Sequence, residues 1–216
     1  MHSRLSTKLS RLVRAAGLVA LACFAVSCKT SGTARSHSGR ITGDQFDPPA
    51  SRPKNPAAVR VKLSTGAQRI YVVEGARVLL STPCSVGTAS TPTPHGTFRI
   101  YHKNATRRRA SQPGAGYPMA YWMEFKTAYG MHWGFVKPHP CTHGCVRMPM
   151  KSAAKVFAMI PTGAPLHIAS SHPEDATHGR SLPVIDDGPV PNPPMSYLMS
   201  SKFFEDARYK GNMFVD

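Results

Sequence analysis

Between Val59 and Leu80 the chain spells out a β meander, and this limits the folds open to it. Val59-Arg60-Val61-Lys62-Leu63 alternates apolar with charged residues, the period of two that sends one face of a strand into a core. Gln68 to Val73 runs apolar, Glu74-Gly75-Ala76-Arg77 reads as a turn, and Val78-Leu79-Leu80 returns as the next strand. Gly96 to Tyr101 is a further strand, with Phe98 and Ile100 on one face and Thr97 and Arg99 on the other. Helical periodicity enters only late. Ala153, Val156, Phe157 and Ile160 share one face of a helix running from Pro149 to Ile160, with Pro149 suited to the first helical position and Thr162-Gly163 closing it. Leu166-His167-Ile168 is a strand again. The pattern predicts a mostly β domain, a small sandwich or barrel around one core with one short helix.

Chemistry concentrates in Thr142-His143-Gly144-Cys145-Val146-Arg147-Met148, with His132 thirteen residues ahead of Cys145 in Gly130-Met131-His132-Trp133-Gly134. A cysteine attacks as its thiolate, which an imidazolium, a cation or the positive end of a helix favours. His132, Arg147 and the predicted helix after the cysteine offer all three. Gly144 allows close backbone approach, so amides of this loop can face a developing oxyanion. Such a site performs acyl transfer and calls for no cofactor.

These residues resemble the signature of the L,D-transpeptidases of the YkuD type, a histidine followed by Ser/Thr-x-Gly-Cys-x-Arg. The resemblance extends through Gln68 to Gly75, Ser85-Val86-Gly87, Thr91 to Ile100 and Tyr117 to Met123, spanning roughly Val59 to Ala169. It implies a reaction on peptidoglycan stem peptides. Cys145 would attack the carbonyl of the third, diamino-acid residue of a donor tetrapeptide and expel the terminal D-alanine. The thioester would pass to an acceptor amine, giving a 3-3 cross-link, or to water, or attach a protein to the wall. It further implies His132 as base and acid, and His143, Gly144 and Cys145 as backbone oxyanion donors. Thr142 and Arg147 would hold the loop, Arg147 alternatively binding a carboxylate, with Tyr121, Met123 and Trp133 as substrate-binding residues. Trp133 stands where the family more often has glycine, and Thr142 where serine is commoner. A wall-binding module lacking turnover is the non-enzymatic alternative.

His139, Cys141, His143 and Cys145 alternate with single spacers, which suggests a metal. Alternation lines all four along one strand face instead of a tetrahedron, and no metal is assigned. With Cys145 reserved as nucleophile, Cys84 and Cys141 are the remaining thiols of the folded part and are expected to pair in an oxidising compartment. The alternative partner for Cys141 is Cys145, as a redox switch.

Residues 1–27 read as an export signal of lipoprotein type. Arg4, Lys8, Arg11 and Arg14 form its basic start, and Ala15 to Val26 is an apolar run too short to span a bilayer. Ala25-Val26-Ser27-Cys28 resembles a lipoprotein processing site, making Cys28 the lipidated residue of a periplasmic or cell-envelope protein anchored to the membrane by acyl chains. Cys23 is the second choice, and ordinary cleavage near Ser27 the alternative. Residues 28–57, rich in Ser, Thr, Gly and Pro, read as a flexible tether. Residues 58–170 form the catalytic domain and 171–216 a Pro-rich extension. In that extension Met195, Leu198, Met199 and Phe203 recur at the spacing of a docking helix.

The chain carries +16, and between Gly75 and Pro173 its single acid is Glu124. A basic surface commonly serves nucleic acid. Export argues against that partner and for carboxylate-rich stem peptides, with anionic wall polymers or lipid head groups as further attractions. Arg107-Arg108-Arg109 is read as a solvated surface run rather than a substrate-binding one.

Overall fold

The structure, a computed structural model, describes residues 40–109, 111 and 116–216. In chain order its strands are β1 (Arg40–Ile41), β2 (Val59–Ser64), β3 (Arg69–Glu74), β4 (Arg77–Pro83), β5 (Gly96–Arg99) and β6 (His102–Asn104). There follow β7 (Trp122–Lys126), β8 (Tyr129–Trp133), β9 (Val146–Met148), the helix α1 (Met150–Met159) and β10 (Pro165–Ala169). The tail adds β11 (Val184–Ile185), α2 (Met195–Met199) and α3 (Lys202–Asp206).

The predicted meander is present as β2-β3-β4, turning through Gly75 at φ +61. A five-stranded sheet has the order β4-β3-β2-β10-β5, with β10 parallel to β2 and antiparallel to β5. A four-stranded sheet has the order β6-β7-β8-β9, with β8 and β9 parallel. Val61, Leu63, Ile70, Val72 and Leu166 of the first sheet share one core with Met123, Met131 and Val146 of the second and with Val156 and Ile160 after β9. The outer face of β3 is buried as well. The segment after β10 folds over it, where the Tyr71 hydroxyl donates to Asp175 Oδ1 at 2.7 Å and the Ser64 hydroxyl to Asp175 Oδ2 at 2.8 Å.

The helix starts one residue later than predicted. Pro149 is its N-cap, with φ −53 and ψ 151, so its ring sits just outside the first turn. Lys155, on this helix, is buried. Its ammonium donates to the Pro48 carbonyl at 2.7 Å and pairs with Asp47 Oδ1 at 2.6 Å, which answers the charge that burial would otherwise strand.

That contact corrects the tether. Over its described part, residues 40–57, the segment is packed: Phe46 and Ala50 are buried, the Ser51 amide donates to the Leu79 carbonyl, and β1 pairs in parallel with β11. Few apolar residues are needed where neighbouring strands and a buried lysine supply partners. Asp187 fastens this corner, accepting from the amides of Gly43 at 2.7 Å and Val136 at 2.8 Å.

The tail forms two short helices broken at Ser200-Ser201, in place of one. Leu198, Phe203 and Ala207 enter the main core. Met195, counted on the same apolar stripe, is exposed.

Candidate active site

Strand pairing assembles the site. The parallel register of β8 and β9 sets His132 beside Arg147, so Cys145, just before β9, lies level with the start of β8. His132, Cys145 and Arg147 open onto one cleft of about 730 Å³, which Thr142 and His143 also line.

His132 is buried, and its Nδ1 lies 2.5 Å from the carbonyl oxygen of Trp133. A carbonyl only accepts, so Nδ1 carries the proton and Nε2 keeps its lone pair. Burial pushes the imidazole pKa down to about 4, the Trp133 contact opposing and the positive charges of Arg147 and Arg107 adding to the fall. The ring is therefore neutral at physiological pH and able to take a proton at Nε2.

Burial also raises the pKa of the Cys145 thiol, while the Gly130 amide, Arg147 and Arg107 pull it back and Glu124 adds to the rise. Its Sγ donates to the Ala128 carbonyl at 3.6 Å. Ala128 holds φ +65 in the two-residue turn between β7 and β8, a backbone region that an alanine enters only under strain. The resting pair is thus a neutral thiol and a neutral imidazole, not the thiolate and imidazolium expected. Nor does the helix begin directly after the cysteine, because β9 intervenes.

Hydroxyls brace the loop. Thr142 Oγ1 accepts from the Gly144 amide at 3.1 Å and donates to the Cys145 carbonyl at 2.6 Å, while Thr93 Oγ1 donates to the Gly144 carbonyl at 3.0 Å. Gly144 holds φ +104, and a Cβ there would overlap the Tyr129 ring. Its amide is committed to Thr142, which corrects its predicted place among the oxyanion donors. The amides of His143 and Cys145 have no protein acceptor among the described residues. Arg147 exchanges backbone hydrogen bonds with Ser85 and turns its side chain to the cleft.

The three expected substrate-binding residues lie elsewhere. Met123 is fully buried in the core. Tyr121 donates to the Ala207 carbonyl at 2.9 Å and accepts from the Tyr209 amide, so it holds the tail. Trp133 stacks on Tyr117 and packs at 4.7 Å from Phe203. Strand parity accounts for the miss at Met123: side chains alternate along β7, and it is Trp122 that lines the cleft. Tyr117, Met119, Arg107 and Arg109 line it too.

The arginine run is consequently no simple solvated loop. Residues 105–109 lie antiparallel to 117–121 through hydrogen bonds such as Arg109 N to Tyr117 O at 3.0 Å and Met119 N to Arg107 O at 2.8 Å. Arg107 and Arg109 reach the cleft. Arg108, between them, donates to the carbonyls of Gly116, Leu198, Met199 and Ser200 and so closes the C-terminal end of α2.

Cys84 and Cys141, expected to pair, are both free thiols. Cys84 is sealed in the core, where burial drives its pKa upward. Cys28 and the export signal lie outside the described residues.

A model of the L,D-transpeptidase catalytic domain, YkuD, matches residues 58–168, just over half of the chain. The YkuD protein of Bacillus licheniformis is 28% identical over 123 residues, covering 53% of this chain and 69% of that one. That of Bacillus subtilis is 31% identical over 108 residues, covering 48% and 61%. A solved L,D-transpeptidase from Stackebrandtia nassauensis aligns with TM-score 0.48 at 22% identity, over 57% of this chain and 60% of its own. The chain therefore spans about 60% of the Bacillus subtilis relative and of the Stackebrandtia chain.

Proposed function

The chain belongs to the L,D-transpeptidase catalytic domain family, and from that premise we propose that it is a cysteine acyltransferase acting on peptidoglycan stem peptides. One observation carries the reading: Cys145 and His132 share a cleft, and the Trp133 carbonyl holds the imidazole with Nε2 free to accept a proton.

When a donor enters, the thiol proton passes to His132 Nε2 and the sulfur attacks the carbonyl carbon of the diamino-acid residue. The oxyanion is received by the amides of Cys145 and His143, since that of Gly144 is held by Thr142. Collapse breaks the C–N bond, His132 returns its proton to the departing amine, and D-alanine leaves a thioester on Cys145. An acceptor amine then attacks the thioester, gives its proton to His132, and releases the thiolate, which is reprotonated. A 3-3 cross-link results.

Anchoring at Cys28 in the cell envelope belongs to the same proposal and rests on the sequence of residues 1–28. The test incubates the protein with tetrapeptide muropeptides and follows mass. Loss of D-alanine with dimer formation is expected, and Cys145→Ala should abolish both. Loss without dimers would instead mean hydrolysis. No thioester and no loss under reducing conditions would leave a wall-binding module.

A further inference from the structure

The cleft holds more positive charge than the chain neutralises. Arg107 stacks over the Trp122 ring at 4.5 Å and reaches Glu124 at 3.4 Å, while its Nε is buried without a hydrogen-bond partner. Glu124 is already committed, accepting from Trp122 Nε1 at 3.1 Å and from the Ala128 amide at 3.4 Å. Arg109 and Arg147 face the same cleft, and neither has a carboxylate within ion-pair distance among the described residues. Among the described residues no acid lines the cleft.

The hairpin explains how the two loop guanidiniums come to point together. Residues two apart on an extended segment share a face, and Arg108, on the opposite face, is pinned by the carbonyls at the end of α2. Arg107 is braced from behind by an aromatic ring. Arg109 is exposed and unpaired among the described residues, which is the arrangement of a brace and a free fork.

We infer that Arg109, supported by Arg107, is a specificity residue that reads a carboxylate of the donor stem peptide. A guanidinium fork matches two carboxylate oxygens, whereas an amide presents one acceptor and a pair of competing donors. Two sources of that carboxylate are distinguished: the side chain of a carboxylated diamino acid whose carbonyl is attacked, and the terminus of the residue that departs. The inference rests on acyl transfer at Cys145 and names what selects the donor.

Calorimetry on the full chain carrying Cys145→Ala tests it without turnover. The probes are a tetrapeptide with both carboxylates free, one amidated on the diamino-acid side chain, and one amidated at the C-terminus. One of the amidations is expected to weaken binding about tenfold, the loss of a charge-assisted pair, and that arm identifies the source. Arg109→Gln should weaken the free-acid peptide by a similar factor and erase the difference, and Arg109→Lys should restore part of it. Equal affinity for all three peptides, or a preference that survives Arg109→Gln, would overturn the inference. Failure of acyl transfer has a separate signature, the absence of a thioester on the wild-type protein with the binding preference intact.

Discussion

At single residues the site is governed by burial. His132 titrates at about 4 in the fold and 6.5 in the unfolded chain, so between these values the unfolded chain binds more protons. Stability therefore falls as pH drops from 6.5 toward 4, by about 3 kcal/mol over the window. Urea melts at pH 4.5 and pH 7 should show this, and the difference should shrink in His132→Gln. Because the thiol pKa is raised, alkylation of Cys145 by iodoacetamide should climb with pH through neutrality and beyond, with no inflection near 6.5. Gly144→Ala meets both a positive φ and the Tyr129 ring, and should lower activity at least tenfold and cost about 1–3 kcal/mol of stability, read by thermal melting. That Thr142, His143, Cys145 and Arg147 gather at one cleft was legible in the sequence because they are nearly contiguous. The orienting partner of His132 was not, since a main-chain carbonyl leaves no mark on residue identity.

At the level of elements, legibility tracked periodicity. The β2-β3-β4 meander announced itself through alternation and a glycine turn, and α1 through its apolar face. Met123 was placed at the cleft one residue out of phase, and in a strand an odd offset exchanges core for surface. Arg107 and Arg109 come from a hairpin remote in sequence from Cys145, so their place in the cleft emerged only with the fold. Arg108 ties that hairpin to α2 through three of the tail's carbonyls. Arg108→Met should cost about 2–3 kcal/mol, measured by denaturant unfolding. It should also loosen Arg107 and Arg109, raising KM for the donor more than it lowers kcat.

Across the whole molecule, charge and chain ends dominate. With +12 on residues 28–216 and one acid between Gly75 and Pro173, capture of the proposed anionic donor gains from long-range attraction. Raising salt from 50 to 500 mM should lower kcat/KM several-fold while leaving kcat nearly unchanged, as expected when screening acts on encounter. Composition misled the reading of residues 40–57, since a segment poor in apolar residues still folds where others complete its contacts. Besides Lys155 and the pairing of β1 with β11, Asp187 fastens it, one carboxylate gripping the amides of Gly43 and Val136. A mechanical pull on the chain ahead of Arg40 would load that carboxylate, and through Val136 the strand exit four residues beyond His132. Were Cys28 anchored as proposed, tension ahead of Arg40 and the alignment of His132 would share this rivet.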